Sequence, residues 1–172
     1  GFEAMVARDP AFNPEAVEDR AALVFWKWLH ARAERRPELA RRLATPELLQ
    51  ALQEEAERLG RAGRRRWTSD VVVAGVDVLL MDLDTDEGHD EVAVRVRWSG
   101  RVAEFGADSP PSMKPASFAT VLTLARERGL ASSTETGVSS DRCHACKAAF
   151  QDDAVACLTL ACAVIINYAI LL

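Results

Sequence analysis

Four cysteines, Cys143, Cys146, Cys157 and Cys162, are the residues of this chain best suited to chemistry, and all lie in its last thirty-two positions, DRCHACKAAFQDDAVACLTLACAVIINYAILL. A Cys-x2-Cys pair and a Cys-x4-Cys pair stand ten residues apart. Zinc takes four soft ligands in a tetrahedron, and two such pairs supply two each. The first spacing fits a knuckle, whereas the second is stretched by two residues. Four thiolates leave no open position, so this would be one structural zinc that staples a small lobe. Two other readings compete. A disulfide cluster needs an oxidising compartment, and buried free thiols need neither metal nor oxidant. The stretch Ala154–Leu172 also runs for nineteen residues without a charge, the length of a membrane span. A span would place Cys157 and Cys162 in lipid and exclude the zinc site. Ile and Val near Val164–Ile166 suit a buried strand instead.

The acids Asp82, Asp84 and Asp86 alternate like the start of an EF-hand loop. The sixth position is Glu87 rather than Gly and the twelfth is Ala93 rather than Glu, so the calcium motif fails. His89 beside Asp90 suggests acid–base work, but a hairpin tip in water offers little to tune a pKa. His30 falls in an Arg-rich helix end. No phosphate loop, dinucleotide fingerprint or nucleophile elbow occurs. Arg61, Arg64, Arg65 and Arg66 form a basic exit from a helix. They either complement its C-terminal dipole or bind phosphates.

The elements that must position these groups fall into two halves. Asn13-Pro14-Glu15 has the order of a helix cap, first turn and acidic start. Val17, Ala21, Val24, Phe25, Trp28 and Leu29 then recur on one face, with Trp26 off it. Pro37 starts a short helical turn. Thr45-Pro46-Glu47 repeats the cap, with Leu48, Leu49, Leu52, Ala56 and Leu59 behind it, and Gly60 or Gly63 ends the helix. From Ser69 the period becomes two. Val92, Val94, Val96 and Trp98 alternate with Ala93, Arg95, Arg97 and Ser99, as in a strand with one wet face. DTDEGHD reads as the hairpin connection and GADSPPSMKPAS as a loop. Phe118, Thr120, Leu122 and Leu124 alternate in a further strand, with a short one near Leu130–Thr134. Helices first and a strand meander after them predict an α+β fold, with helices on one face of an antiparallel sheet.

Composition sets the outer bounds. The chain has 172 residues, 49% of them hydrophobic and 27% charged, as in a soluble globular domain of one core. A net charge of −5 argues against nucleic acid as the main partner. The charge is uneven: Ala31–Arg66 holds ten Arg and six Glu, while Asp82–Glu91 holds six acids and no Lys or Arg. The chain opens on Gly1 without a signal-peptide pattern, and reads as a piece of a longer protein.

Several stretches together resemble the Tim-forty-four-like domain family. These are RDPAFNPEAVEDRA at the first long helix, Thr45–Leu48, Gly63–Arg65, and VLTLARERGLAS from Val121 to Ser132. Cys143 and Cys146 then fall where bacterial members carry a Cys-x-x-Cys ribbon. Leu122 and Leu124 replace the family's usual aromatics, and Lys147 its usual Gly. The resemblance implies an α+β domain over residues 1–138 in which a curved antiparallel sheet wraps helices into a cone, similar to nuclear-transport-factor-2-like folds. It also implies a Cys-containing appendage over 139–172. The function it implies is a non-enzymatic adaptor at the cytoplasmic side of a membrane. Such a domain would bind anionic lipid or protein partners of a translocation assembly through an apolar pocket and a basic patch, with ribosome contact as a further family trait. The rival expectation is a small-molecule-binding or catalytic domain of the nuclear-transport-factor-2-like type.

Overall fold

A computed structural model describes residues 1–83, 88–106, 113–128 and 131–132, and the backbone of 165–169. Among these residues three α-helices come first: α1 (Phe2–Arg8), α2 (Pro14–Glu34) and α3 (Pro46–Arg61), with a 3-10 turn at Pro37–Ala40. Four strands follow: β1 (Arg64–Asp82), β2 (His89–Gly106), β3 (Ala116–Glu127) and β4 (Ile165–Ala169). They form one antiparallel sheet in the order β1-β2-β3-β4. The fold is α+β.

Each helix begins where its cap residues place it. The Asn13 Oδ1 accepts from the Glu15 N–H at 2.9 Å, and the Thr45 Oγ1 accepts from the Leu48 N–H at 3.2 Å. Pro14 and Pro46 occupy first-turn positions where a missing N–H costs nothing. The Thr45 cap is buried. Thr45→Ala is therefore expected to cost about 1 kcal/mol, read as a shifted urea midpoint at unchanged slope. Helix α3 runs through Gly60, and Gly63, at φ 62°, makes the left-handed turn into β1.

The core lies between the helices and one face of the sheet. Ala21, Val24, Phe25, Trp28 and Leu29 of α2 are buried, as are Leu48, Leu52 and Leu59 of α3. They meet Met81, Val92, Val94, Val96, Trp98, Leu122 and Leu124 from the sheet. Trp98 stands at the centre, with Phe118 stacked on it at 4.4 Å and Phe25 at 5.4 Å. Each large side chain so buried contributes about 1.5–3 kcal/mol. Trp26 is exposed and rests edge-on against Phe25.

Strand β1 starts at Arg64, five residues before the apolar run announces it, because Arg64–Ser69 pairs with Gly106–Arg101. Arg64, Arg65 and Arg66 therefore open a strand, and Arg61 stays in the last turn of α3. Register shifts break β1 after Ser69, Val73 and Val78, and Asp70 turns left-handed at φ 53°. Bulges at an edge strand bend it and discourage pairing with a foreign strand. Ala131 and Ser132, within the expected strand Leu130–Thr134, have irregular backbone. Ile165–Ala169 pairs with β3 as a strand. No helix among the described residues is long and apolar enough to cross a membrane. All four cysteines and the acids Asp84, Asp86 and Glu87 lie outside the described residues.

Candidate functional site

A cleft of about 440 Å³ opens between α2, α3 and the start of β1. Helical spacing makes its walls. Trp28 and Arg32 sit one turn apart on α2, while Leu48, Leu52 and Glu55 follow one face of α3, with Arg58 three residues on. Trp28, Leu48 and Leu52 form an apolar floor. The rim is a line of alternating charges. Arg32 grips Glu55 with both arms of its guanidinium, at 2.7 and 2.8 Å, and its plane lies 4.6 Å above the Trp28 ring. Arg66 bridges Glu55, at 2.9 Å, and Glu104. Arg58 completes the row on Glu104 at 3.3 Å, and Arg64 donates to the Glu104 backbone carbonyl at 2.8 Å.

The electrostatics fix both carboxylates as anions. Burial pushes the Glu55 carboxyl up, but the Arg32 hydrogen bonds and the charges of Arg32 and Arg66 outweigh it, so its pKa falls below the ordinary range. Glu104 is lowered in the same way: burial opposes, and Arg58 and Arg66 prevail. Neither can donate a proton near neutrality. The cleft can bind an apolar group beside a polar one, and it contains no nucleophile–base pair.

Because Glu55 is lowered on folding, it stabilises the fold fully above its unfolded pKa, and this is lost as pH falls through the folded value. Glu55→Ala is expected to cost about 2 kcal/mol at pH 7, since two arginines lose their shared partner in a part-buried site. Its acid unfolding should start from lower stability and fall less steeply below pH ~4. Denaturant melts of both proteins from neutral to acid pH check the sign.

The four arginines singled out in sequence do not converge. Arg66 joins the cleft rim. Arg64 shares its sheet face and is tied to Glu104. Arg65 points to the opposite face, its guanidinium 4.4 Å above the Trp67 ring, and Arg61 is exposed at the end of α3. Strand alternation separates residues that a helix end would have grouped. Sequence reasoning missed Arg32, Glu55, Arg58 and Glu104. Glu55 and Arg58, three apart on α3 above an apolar face, were the available signal.

Asp90 corrects a second expectation. It sits in β2, 1% exposed, in an ion pair with Arg8 of α1. Asp9, 3% exposed, accepts from Arg126 at 2.7 Å and from the Ser132 N–H and hydroxyl at 3.0 and 2.7 Å. Burial raises the Asp9 carboxyl, but these hydrogen bonds bring it below the usual range. Consecutive residues of α1's end thus exchange partners with β2 and β3, and the group serves to fasten α1. His30 is exposed on α2.

No family model matches the chain, and no curated protein does. Among solved structures, the intermembrane-space region of the chloroplast protein ARC6 is similar at a TM-score of 0.44 and 12% identity, over 64% of this chain and 85% of that one. At that level of likeness neither a site nor a partner passes from one protein to the other.

Proposed function

We propose that this chain is a non-enzymatic adaptor domain of the Tim-forty-four-like kind, held at the cytoplasmic side of a membrane and docking a protein of a translocation assembly. The supporting observation is the cleft: an apolar floor of Trp28, Leu48 and Leu52 beneath a rim of arginines and ionised glutamates. That pairing of an apolar pocket with cationic groups is what the resemblance implies for partner binding. The finer architecture proposed with it is a cone-like sheet around the helices with a Cys-containing appendage. Four thiolates at Cys143, Cys146, Cys157 and Cys162 suit one structural zinc. Metal content of the purified chain tests this: one zinc per chain supports it, and none overturns it.

Lipid contact would fall to Arg61 and Arg65, since Arg64 and Arg66 are engaged by Glu104 and Glu55. Co-sedimentation with phosphatidylglycerol vesicles, against phosphatidylcholine vesicles, tests the membrane reading. Binding that drops when Arg61 and Arg65 become Ser supports it; no binding to either vesicle sinks it. A second reading, small-molecule binding, is favoured by the cleft's volume, which lies in the range of ligand pockets. Filling the cleft with Ala51→Trp separates the two, because vesicle binding through Arg61 and Arg65 should survive it while ligand binding should not.

A further inference from the structure

The face of the sheet turned away from the helices is built for contact. It carries the odd-numbered residues of β2 and their partners on β1. Three large apolar side chains stand in water there: Leu80 at 64% exposure, Val72 at 59% and Phe105 at 45%. Its cations are all arginine, Arg65, Arg95, Arg97 and Arg101, and arginine beside aromatic and aliphatic groups marks protein interfaces, where lysine is depleted. Small residues, Ala93 on β2 and Ser117 and Ala119 on the neighbouring β3, share this face.

The charge on this face is polarised along the strands. Arg65 lies opposite Phe105 at one end, with Arg101 nearby, and Asp82 lies opposite Glu91 at the other. In between, Asp77 pairs with Arg95 and Arg97, while at the basic end Arg101 holds Asp70. These exposed pairs are each worth under about 1 kcal/mol and can be exchanged. A two-fold axis lying between the two sheets, parallel to them and perpendicular to the strands, level with Gly75 and Arg97, lays each basic end on the partner's acidic end. A closed pair of copies requires this kind of self-complementary patch. At the level of the axis the Arg97 guanidinium lies over Gly75, with Nη2 2.5 Å from where a Cβ would stand. From Glu91 to Phe105 the face runs about 45 Å, long enough for an interface near ~800 Å² per partner.

We infer that this outer sheet face pairs with the same face of a second copy of the chain, related by a two-fold axis, with Leu80 and Val72 at the contact. The face is distinct from the cleft and shares only Arg65 with the proposed lipid contact, which Leu80→Glu leaves intact, so the inference does not rest on the adaptor reading.

Sedimentation velocity of the full chain under reducing conditions, across two decades of concentration and at low and high salt, tests it. The expected result is a monomer–dimer equilibrium that weakens as salt rises. Leu80→Glu should raise its Kd about tenfold or more, with circular dichroism and Tm unchanged because the side chain is exposed. Two charge variants give a stricter test. Asp82→Arg with Glu91→Arg makes both ends basic, and Arg65→Glu with Arg101→Glu makes both acidic. Each alone should be monomeric, and the two mixed should form a dimer. A chain that stays monomeric throughout overturns the inference. So does a dimer indifferent to Leu80→Glu, a dimer dissolved by reductant alone, or variants that fail to pair when mixed.

Discussion

Trp98→Ala is expected to destabilise the fold by about 4 kcal/mol, near the top of the range for core aromatics. Three losses combine. The indole fills the space between α2 and the sheet, and its removal leaves a cavity bounded by Phe25 and Phe118, whose rings are held apart by separate elements and cannot close over it. The offset ring stacking that adds about 0.5–1.5 kcal/mol beyond burial disappears. Finally, the indole N–H donates to the Thr120 Oγ1 at 3.0 Å, and this buried hydroxyl is left without that donor. Trp98→Phe separates these causes. It keeps much of the volume but not the N–H, and should cost about half as much. Guanidinium titrations of the three proteins decide it. Equal stability of Trp98→Ala and the wild type would mean that the core is not organised around this ring.

Asp90→Ala is expected to cost about 3 kcal/mol. Removing one member of a buried charge pair costs about 3–5 kcal/mol because the remaining charge is uncompensated. The lower end applies here because Arg8 and Arg126 keep some access to water. The loss should also be local. Amides of α1 should exchange faster by more than those of β2, since Arg8 and Asp9 are what bind this short helix to the sheet and Met5 is its buried anchor. Hydrogen exchange read by mass spectrometry checks the order. Asp9→Asn adds the pH arm. The lowered Asp9 pKa gives stability that is present above the unfolded value and is lost as pH falls through the folded one. The variant should therefore lose less than the wild type on going from pH 5 to acid below ~4. Equal acid slopes would remove Asp9 from the account.

Much of the fold was legible because short-range rules decide it. Asn13 and Thr45 mark their helix starts by side chains that must satisfy orphan N–H groups, and they do so here. The alternation from Val92 to Trp98 admits only one buried face. Phe118 to Leu124 carries the same signal, and β3 follows it. What local pattern could not show was where the first strand begins. Arg64–Ser69 has no apolar alternation and is a strand because Arg101–Gly106 pairs with it, a long-range fact. The same pairing divided Arg64 and Arg66 from Arg65. The cleft was not visible: Arg66 was singled out as part of a basic patch, and Glu55 and Glu104 drew no reading of their own. Nothing within ten residues of either tells that an arginine from another element will cover it. Asp90 was misplaced for the same reason, since its partner Arg8 is eighty-two residues away.

That separation has a consequence for how the chain is made. Arg8 and Asp9 are synthesised early, yet their partners are Asp90, Arg126 and Ser132, up to 123 residues later. A chain emerging from its N-terminus can form α2 and α3 at once, since helices close locally. Helix α1 is too short to persist alone and must wait until the β2–β3 pairing exists. Loop closure over such a distance costs only slightly more than over half of it, so the delay is set by the order of synthesis rather than by entropy. The first segment to be translated is thus the last to be fastened. Its clasp closes on Ser132, five residues past the end of β3.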